Sequence, residues 1–142
     1  MRLNINKVQV WSTEIPDRPG AAAAKLERLA RAGIDLAFIF TRPHPRQPET
    51  GILFVAPIEG PEQTQLAREI GLTPASDVAM LEVTGDNRPG IGYELMSRLA
   101  VAGMNLRGLS ISSLGERFAA YLAFDNADAA ALALRVLASL AG

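Results

Sequence analysis

Two short runs rich in β-formers, Val8–Thr13 and Val78–Val83, stand at matching places in the two halves of the chain. Each is followed by Arg-Pro-Gly and then by apolar residues at helical spacing. These are Ala22, Leu26 and Leu29 in the first half, and Ile91, Leu95 and Leu99 with Met96 beside them in the second. Proline suits the first helical position, where its missing N–H has no partner to lose. Gly33 and Gly103 suit a left-handed cap and predict the helix ends. Strands are predicted next over 34–41 and 51–56, and over 104–112 and 117–124. A second helix closes each half. Residues 61–71 place Leu66, Ala67 and Ile70 on one face, and 128–140 place Leu132, Ala133, Val136, Leu137 and Leu140 on one face. Asn126 or Asp128 is available as N-cap of the latter. Residues 42–50 hold three prolines and predict a long exposed hairpin loop, with 113–116 as its shorter counterpart.

The halves are a repeat. A shift of 70 residues lays Val8–Leu36 over Val78–Leu106 with ten identities: Val8, Arg18, Pro19, Gly20, Arg28, Leu29, Ala30, Ala32, Gly33 and Leu36, each matched 70 positions on. Several of these are turn and cap residues that fix chain path, so the halves are expected to share a fold. Strand–helix–strand–strand–helix predicts an α+β protein. It would consist of two ferredoxin-like βαββαβ modules in tandem, at 1–70 and 71–142, with helices on one face of each antiparallel sheet.

A βαββαβ unit needs a strand after its second helix, and the second half ends without one. Residues 2–7 precede the first repeat at the equivalent place. They are therefore expected to supply the edge strand of the second module, and residues 72–77 that of the first. The alternative for residues 2–7 is an N-terminus without fixed structure. Pro74 is compatible only with an edge.

Composition narrows the function. Of 142 residues, 14 are Lys or Arg and 15 are Asp or Glu, giving a net charge of −1 without a basic stripe; no nucleic-acid partner is expected. Cysteine is absent and His44 is the single histidine, so neither a disulfide nor a histidine-rich metal site is expected. No apolar run reaches the ~20 residues that span a bilayer. A soluble, cytoplasmic protein without membrane contact or cofactor is the expectation.

The chemistry gathers at the strand–turn–helix motif. In the second half this is Asp86-Asn87-Arg88-Pro89-Gly90-Ile91-Gly92, and in the first Asp17-Arg18-Pro19-Gly20-Ala21. Small residues at a helix start expose unpaired N–H groups and a partial positive charge, a natural cradle for a carboxylate. A well-capped helix with no ligand is the alternative. Arg18 and Arg88 can clamp a carboxylate or simply stand in solvent.

Asp-Asn-Arg-Pro-Gly between strand and helix, with Ala-Gly-Met-Asn-Leu at the next strand, resembles the ACT domain, once per half of the chain. The resemblance implies a regulatory module that binds an amino acid at an interface between modules. The serine-binding domain of phosphoglycerate dehydrogenase, a member of the family, holds its ligand with two asparagines. The positions matching these are Asn87 and Asn105, with Leu106 beside the latter. An amide side chain both accepts and donates, which suits a zwitterion. The first half departs from this pattern, with Asp17 and Asp35 at the matching positions. Two carboxylates repel a ligand carboxylate but can hold an ammonium.

Other features carry less. Gly90-Ile91-Gly92 lacks the third glycine of a dinucleotide fingerprint. Trp11 in a strand is read as core. His44 among prolines has no evident partner that would make it a base. The expected function is non-catalytic amino-acid binding by a homodimer formed through edge strands, signalling to a separate biosynthetic enzyme or to another copy. The rivals are a regulatory subunit without a ligand of its own and a small hydrolase on the same fold. No nucleophile–base pair supports the hydrolase.

Overall fold

A computed structural model describes residues 2–141. They form eight strands and four helices: β1 (Leu3–Val8), β2 (Trp11–Pro16), α1 (Ala21–Arg31), β3 (Phe38–Pro43), β4 (Thr50–Ala56), α2 (Gly60–Glu69), β5 (Thr73–Pro74), β6 (Ala79–Asp86), α3 (Ile91–Val101), β7 (Gly108–Leu114), β8 (Arg117–Phe124) and α4 (Ala127–Ala141). They divide into two compact units. The leading unit is Gln9–Ala75, and the trailing unit joins residues 2–8 to 76–141.

Each unit holds one four-stranded antiparallel sheet, ordered β3-β4-β2-β5 in the leading unit and β1-β6-β8-β7 in the trailing unit. The N-terminal segment is therefore a strand and not a loose end. It pairs with β6 along its length, from Leu3↔Gly85 to Val8↔Met80. Leu3 is buried and Ile5 packs on the trailing core, as the two-residue period requires. The matching edge of the leading unit is shorter: Thr73–Pro74 pairs only with Ser12 and Trp11. Proline at an edge removes no ladder donor that the sheet needs.

The apolar face of each sheet meets its two helices. Leu81 and Val83 on β6, Phe118, Ala120, Leu122 and Phe124 on β8, and Ile91, Leu95 and Leu99 on α3 build the trailing core. From α4 the core takes Ala130, Ala133 and Leu137. Leu132, expected on that face, is 41% exposed, because the inward stripe at spacings of three and four runs through 130, 133 and 137. Trp11, Ile15, Leu29, Leu53, Val55, Ala67, Ile70 and Leu72 form the leading core. Lys25 on α1 donates from Nζ to the Ile70 carbonyl at 2.6 Å, placing a cation at the C-terminal end of α2.

The helix ends follow the expected chemistry. Gly33 N–H bonds to the Ala30 carbonyl and Ile34 N–H to that of Leu29, a Schellman pair. Gly103 and Met104 repeat it on Ala100 and Leu99. Both glycines are left-handed, at φ +73° and +74°. Asn126 caps α4, its Oδ1 accepting from Ala129 N–H at 2.8 Å.

Several boundaries move. β2 begins at Trp11 and not at Val8, because Val8 still belongs to β1 and only Gln9-Val10 separates the two strands. β3 and β7 begin at Phe38 and Gly108 and not at 34 and 104, because Ile34 and Met104 spend their N–H groups on the helix caps.

Candidate functional site

Both Arg-Pro-Gly motifs fold as one turn. Ala21 N–H bonds to the Arg18 carbonyl at 3.3 Å, and Ile91 N–H to the Arg88 carbonyl at 3.2 Å. Gly20 lies at φ +86°, ψ −9° and Gly90 at φ +86°, ψ 4°. Proline at the second position and a left-handed glycine at the third define a type II turn. Contrary to expectation, the proline is thus not the first residue of the helix. It is the turn residue before a glycine N-cap, because only glycine takes the φ that swings the chain into α1 or α3. A Cβ at Gly90 would meet nothing within 4 Å, so its constraint is wholly backbone. Gly90→Ala is expected to cost about 1 kcal/mol. Gly92→Ala, where helix propensity favours alanine by ~1 kcal/mol against an Ile111 Cδ1 contact of 3.3 Å, is expected to be neutral or stabilising. Urea denaturation of the two variants checks the contrast.

The turn leaves each helix start open. Neither α1 nor α3 has a side-chain cap. The first helical bonds are Ala24 N–H to Gly20 and Glu94 N–H to Gly90, both at 3.0 Å. Among the described residues the amides of Ala22, Ala23, Gly92 and Tyr93 therefore have no partner. A hairpin holds each turn from behind. Asn87 N–H donates to the Glu116 carbonyl at 2.7 Å, and Asp17 N–H to the Glu49 carbonyl at 2.9 Å.

The side chains around the two turns differ. In the trailing unit Asp86 accepts from Arg117 Nη1 at 2.7 Å, and Arg88 pairs with Glu94 in the first turn of α3. A ligand carboxylate at Gly92 would compete with Glu94 for Arg88. In the leading unit Ala24 stands where Glu94 does, α1 has no acid in its first turn, and Arg18 has no ion-pair partner among the described residues. Asp17 is exposed beside it.

Asn105 and Asp35 lie elsewhere. Each follows a helix C-terminus, in the segment before β7 or β3. Asn105 is exposed, and its Oδ1 accepts from Leu106 N–H at 3.0 Å. Leu106 packs on the trailing core and serves the fold. Asn87 and Asn105 flank opposite ends of α3, whose eleven residues rise about 16 Å. One small ligand cannot touch both within a unit. The same holds for Asp17 and Asp35 across α1.

Three further groups were read from sequence or missed by it. Trp11 is core, 4% exposed, with the Arg68 guanidinium 5.4 Å from the ring centroid and an indole N–H that has no hydrogen-bond partner among the described residues. His44 does have partners, contrary to expectation: Glu14 across the sheet, and two backbone amides. Tyr121 Oη donates to Glu82 Oε2 at 2.9 Å between neighbouring strands β8 and β6. Burial, with the Glu82 carboxylate beside it, pushes the phenol up to about 12, so it stays a neutral donor. Strand periodicity alone places Glu82 and Tyr121 on the face away from the core.

No family model matches the sequence, and no curated protein is similar to it. Solved structures are. Protein BT0572 from Bacteroides thetaiotaomicron matches 96% of this chain and 89% of its own, with 14% identity and a TM-score of 0.75. The ligand-free regulatory subunit of aspartate kinase from Thermus thermophilus matches at 19% identity, 98% and 96% coverage, and a TM-score of 0.63. The corresponding subunit from Thermus flavus gives 23%, 98%, 96% and 0.57. The fold is that of two tandem ACT modules. In each module the glycine-opened turn lies between the first core strand and the first helix, and Asp35 or Asn105, before the next strand, lies at the helix's far end.

Proposed function

We propose that this chain is a regulatory protein that binds a small amino acid or related metabolite, without transforming it, at an interface between ACT modules of two copies. The observation that carries the reading is the pair of uncapped amides, Gly92 and Tyr93, behind the Arg88-Pro89-Gly90 turn. Bare N–H groups at a helix start favour a carboxylate. The similar aspartate kinase regulatory subunits support a separate biosynthetic enzyme as the receiver of the signal.

The separation of Asn87 from Asn105 supports a second copy. Each sheet has two edges. β1 carries Lys7, β3 carries Arg42 and Pro43, and β5 is two residues with Pro74. β7, Gly108-Leu109-Ser110-Ile111-Ser112-Ser113-Leu114, has neither charge nor proline, the devices that guard an edge. Leu109 on it is 46% exposed. Two β7 strands paired antiparallel about a two-fold axis bring the start of one against the end of the other. Asn105 precedes β7, whereas the hairpin that ends β7 holds the Asn87 turn through Glu116. Each Asn105 then faces Asn87 of the second copy, and the pair can take the two ends of one zwitterion.

A regulatory subunit without a ligand is the second reading, favoured by the Glu94 carboxylate that already occupies Arg88. A thermal-shift panel of the twenty amino acids separates the two. Stabilisation by one ligand is expected; silence with all twenty, with an enzyme co-purifying, supports the bare subunit. Leu109→Lys puts a like charge on both strands of the pairing and is expected to convert a dimer to a monomer in sedimentation velocity. A variant that stays dimeric removes β7 as the interface.

A further inference from the structure

The loop between β3 and β4 is built around the chain's single histidine. The His44 side chain is 15% exposed. Its Nδ1 accepts the backbone N–H groups of Arg46 at 3.0 Å and Gln47 at 3.1 Å. Its Nε2 lies 3.3 Å from Oε1 of Glu14 on β2. A ring nitrogen that accepts must keep its lone pair, so the proton of the neutral ring sits on Nε2 and points to Glu14. The loop is closed at its base by His44 N–H on the Thr50 carbonyl at 2.8 Å. Its last residue, Glu49, sits at φ 60° and gives its carbonyl to Asp17 N–H. Asp17 opens the turn that starts α1. Hydrogen bonds and a short stretch of chain thus connect the imidazole to the turn.

We propose that His44 is a pH-operated latch: neutral, it holds loop 44–49 closed and through Glu49 fixes the Asp17 turn, and a second proton, taken at Nδ1, releases both. The proton converts Nδ1 from acceptor to donor while it faces two N–H groups, so both bonds are lost together. The imidazolium keeps its attraction to Glu14 and stays beside β2 as the loop opens. The other charges near it are Arg42 on β3 and Arg46 and Glu49 in the loop; β4 contributes no titratable side chain. Glu14, Ile52 and Arg42 form one row across β2, β4 and β3. The backbone donors of Arg46 and Gln47 determine what the second proton does to the loop. The trailing unit supplies an internal control: its hairpin turns at Gly115-Glu116 with no imidazole, yet makes the same bond to the Asn87 amide. The latch acts whether or not any ligand binds.

The test is NMR of untagged, ¹⁵N-labelled full-length protein between pH 8 and 5, the range where imidazoles change charge. Long-range ¹H–¹⁵N spectra are expected to give an Nε2-protonated ring at pH 8. As that ring titrates, the protection of the Arg46, Gln47 and Asp17 amides, corrected for intrinsic exchange, is expected to fall about five- to tenfold, the scale of one hydrogen bond. Asn87 is expected to stay constant. His44→Asn, whose Oδ1 can accept from the same two amides without titrating, is expected to hold all three at both pH values. His44→Ala is expected to leave them open throughout. A proton on Nδ1 at pH 8, or unchanged Arg46 and Gln47 protection, overturns the latch. Loss at Arg46 and Gln47 with none at Asp17 overturns its connection to the turn.

Discussion

A chain beginning at Val8 is expected to lose about 3–5 kcal/mol of the trailing unit's stability. β1 adjoins the first repeat in sequence, yet it completes the sheet of the second. Its six residues pair with β6 throughout, and Leu3 is 8% exposed. Burying a leucine contributes about 2 kcal/mol, and the half-buried Ile5 adds roughly half as much again. Removing the strand also bares the β6 backbone and exposes the rim of the Leu81 and Val83 layer. The approach between the strands is close: a Cβ at Gly85 would lie 3.0 Å from the Arg2 carbonyl oxygen and 3.0 Å from Phe118 Cε1. Gly85→Val, which leaves the strand in place but blocks its docking, is therefore expected to reproduce much of the loss. Urea denaturation followed by far-UV circular dichroism reads both. An unchanged midpoint for the shortened chain would mean that β1 contributes nothing to the fold.

That strand was legible in the sequence because residues 2–7 stand before the first repeat at the place that residues 72–77 hold before the second. The α1 and α3 frames were legible for a different reason. Arg-Pro-Gly and Ala-Gly fix turn and cap geometry, so their recurrence 70 residues on carries the chain path with it. The start of β2 was not legible. Val8 and Val10 continue one apolar alternation across two strands of different sheets, and Gln9 gives no turn signal. The identity of Val8 with Val78 belongs to the alternation and not to the element.

The candidate site was legible in its backbone geometry and not in its side-chain pairing. Glycine after proline predicts the open helix start, and the amides are indeed bare. The pairing of Arg88 with Glu94 depends on the type II turn folding residue 88 back over the first helical turn, which spacing alone does not express. His44 looked partnerless because its acceptor role is local, to amides two and three residues on, while Glu14 arrives through sheet register. The distance between Asn87 and Asn105 follows from element order alone, since a helix runs between them. Reading both as one clamp therefore required a second module from the outset.

Asn87→Ala and Asn105→Ala are each expected to weaken amino-acid binding by about 10- to 100-fold, the range of a hydrogen bond to a charged group. The decisive result comes from mixing them. In a dimer paired through β7, each site draws Asn87 from one copy and Asn105 from the other. A mixed dimer of the two variants has one site with both amides missing and one with both intact. Random pairing makes about half the dimers mixed, so the mixture is expected to bind at native affinity with about a quarter of the wild-type stoichiometry. Isothermal titration after unfolding and refolding the two variants together measures it. A site contained in one unit gives no recovery on mixing, because neither chain carries both amides. Native-affinity binding by either variant alone would remove the amides from the site altogether. Recovery at one quarter is an outcome that only a shared site produces, and the roughly 16 Å that α3 sets between its ends is the physical reason to expect it.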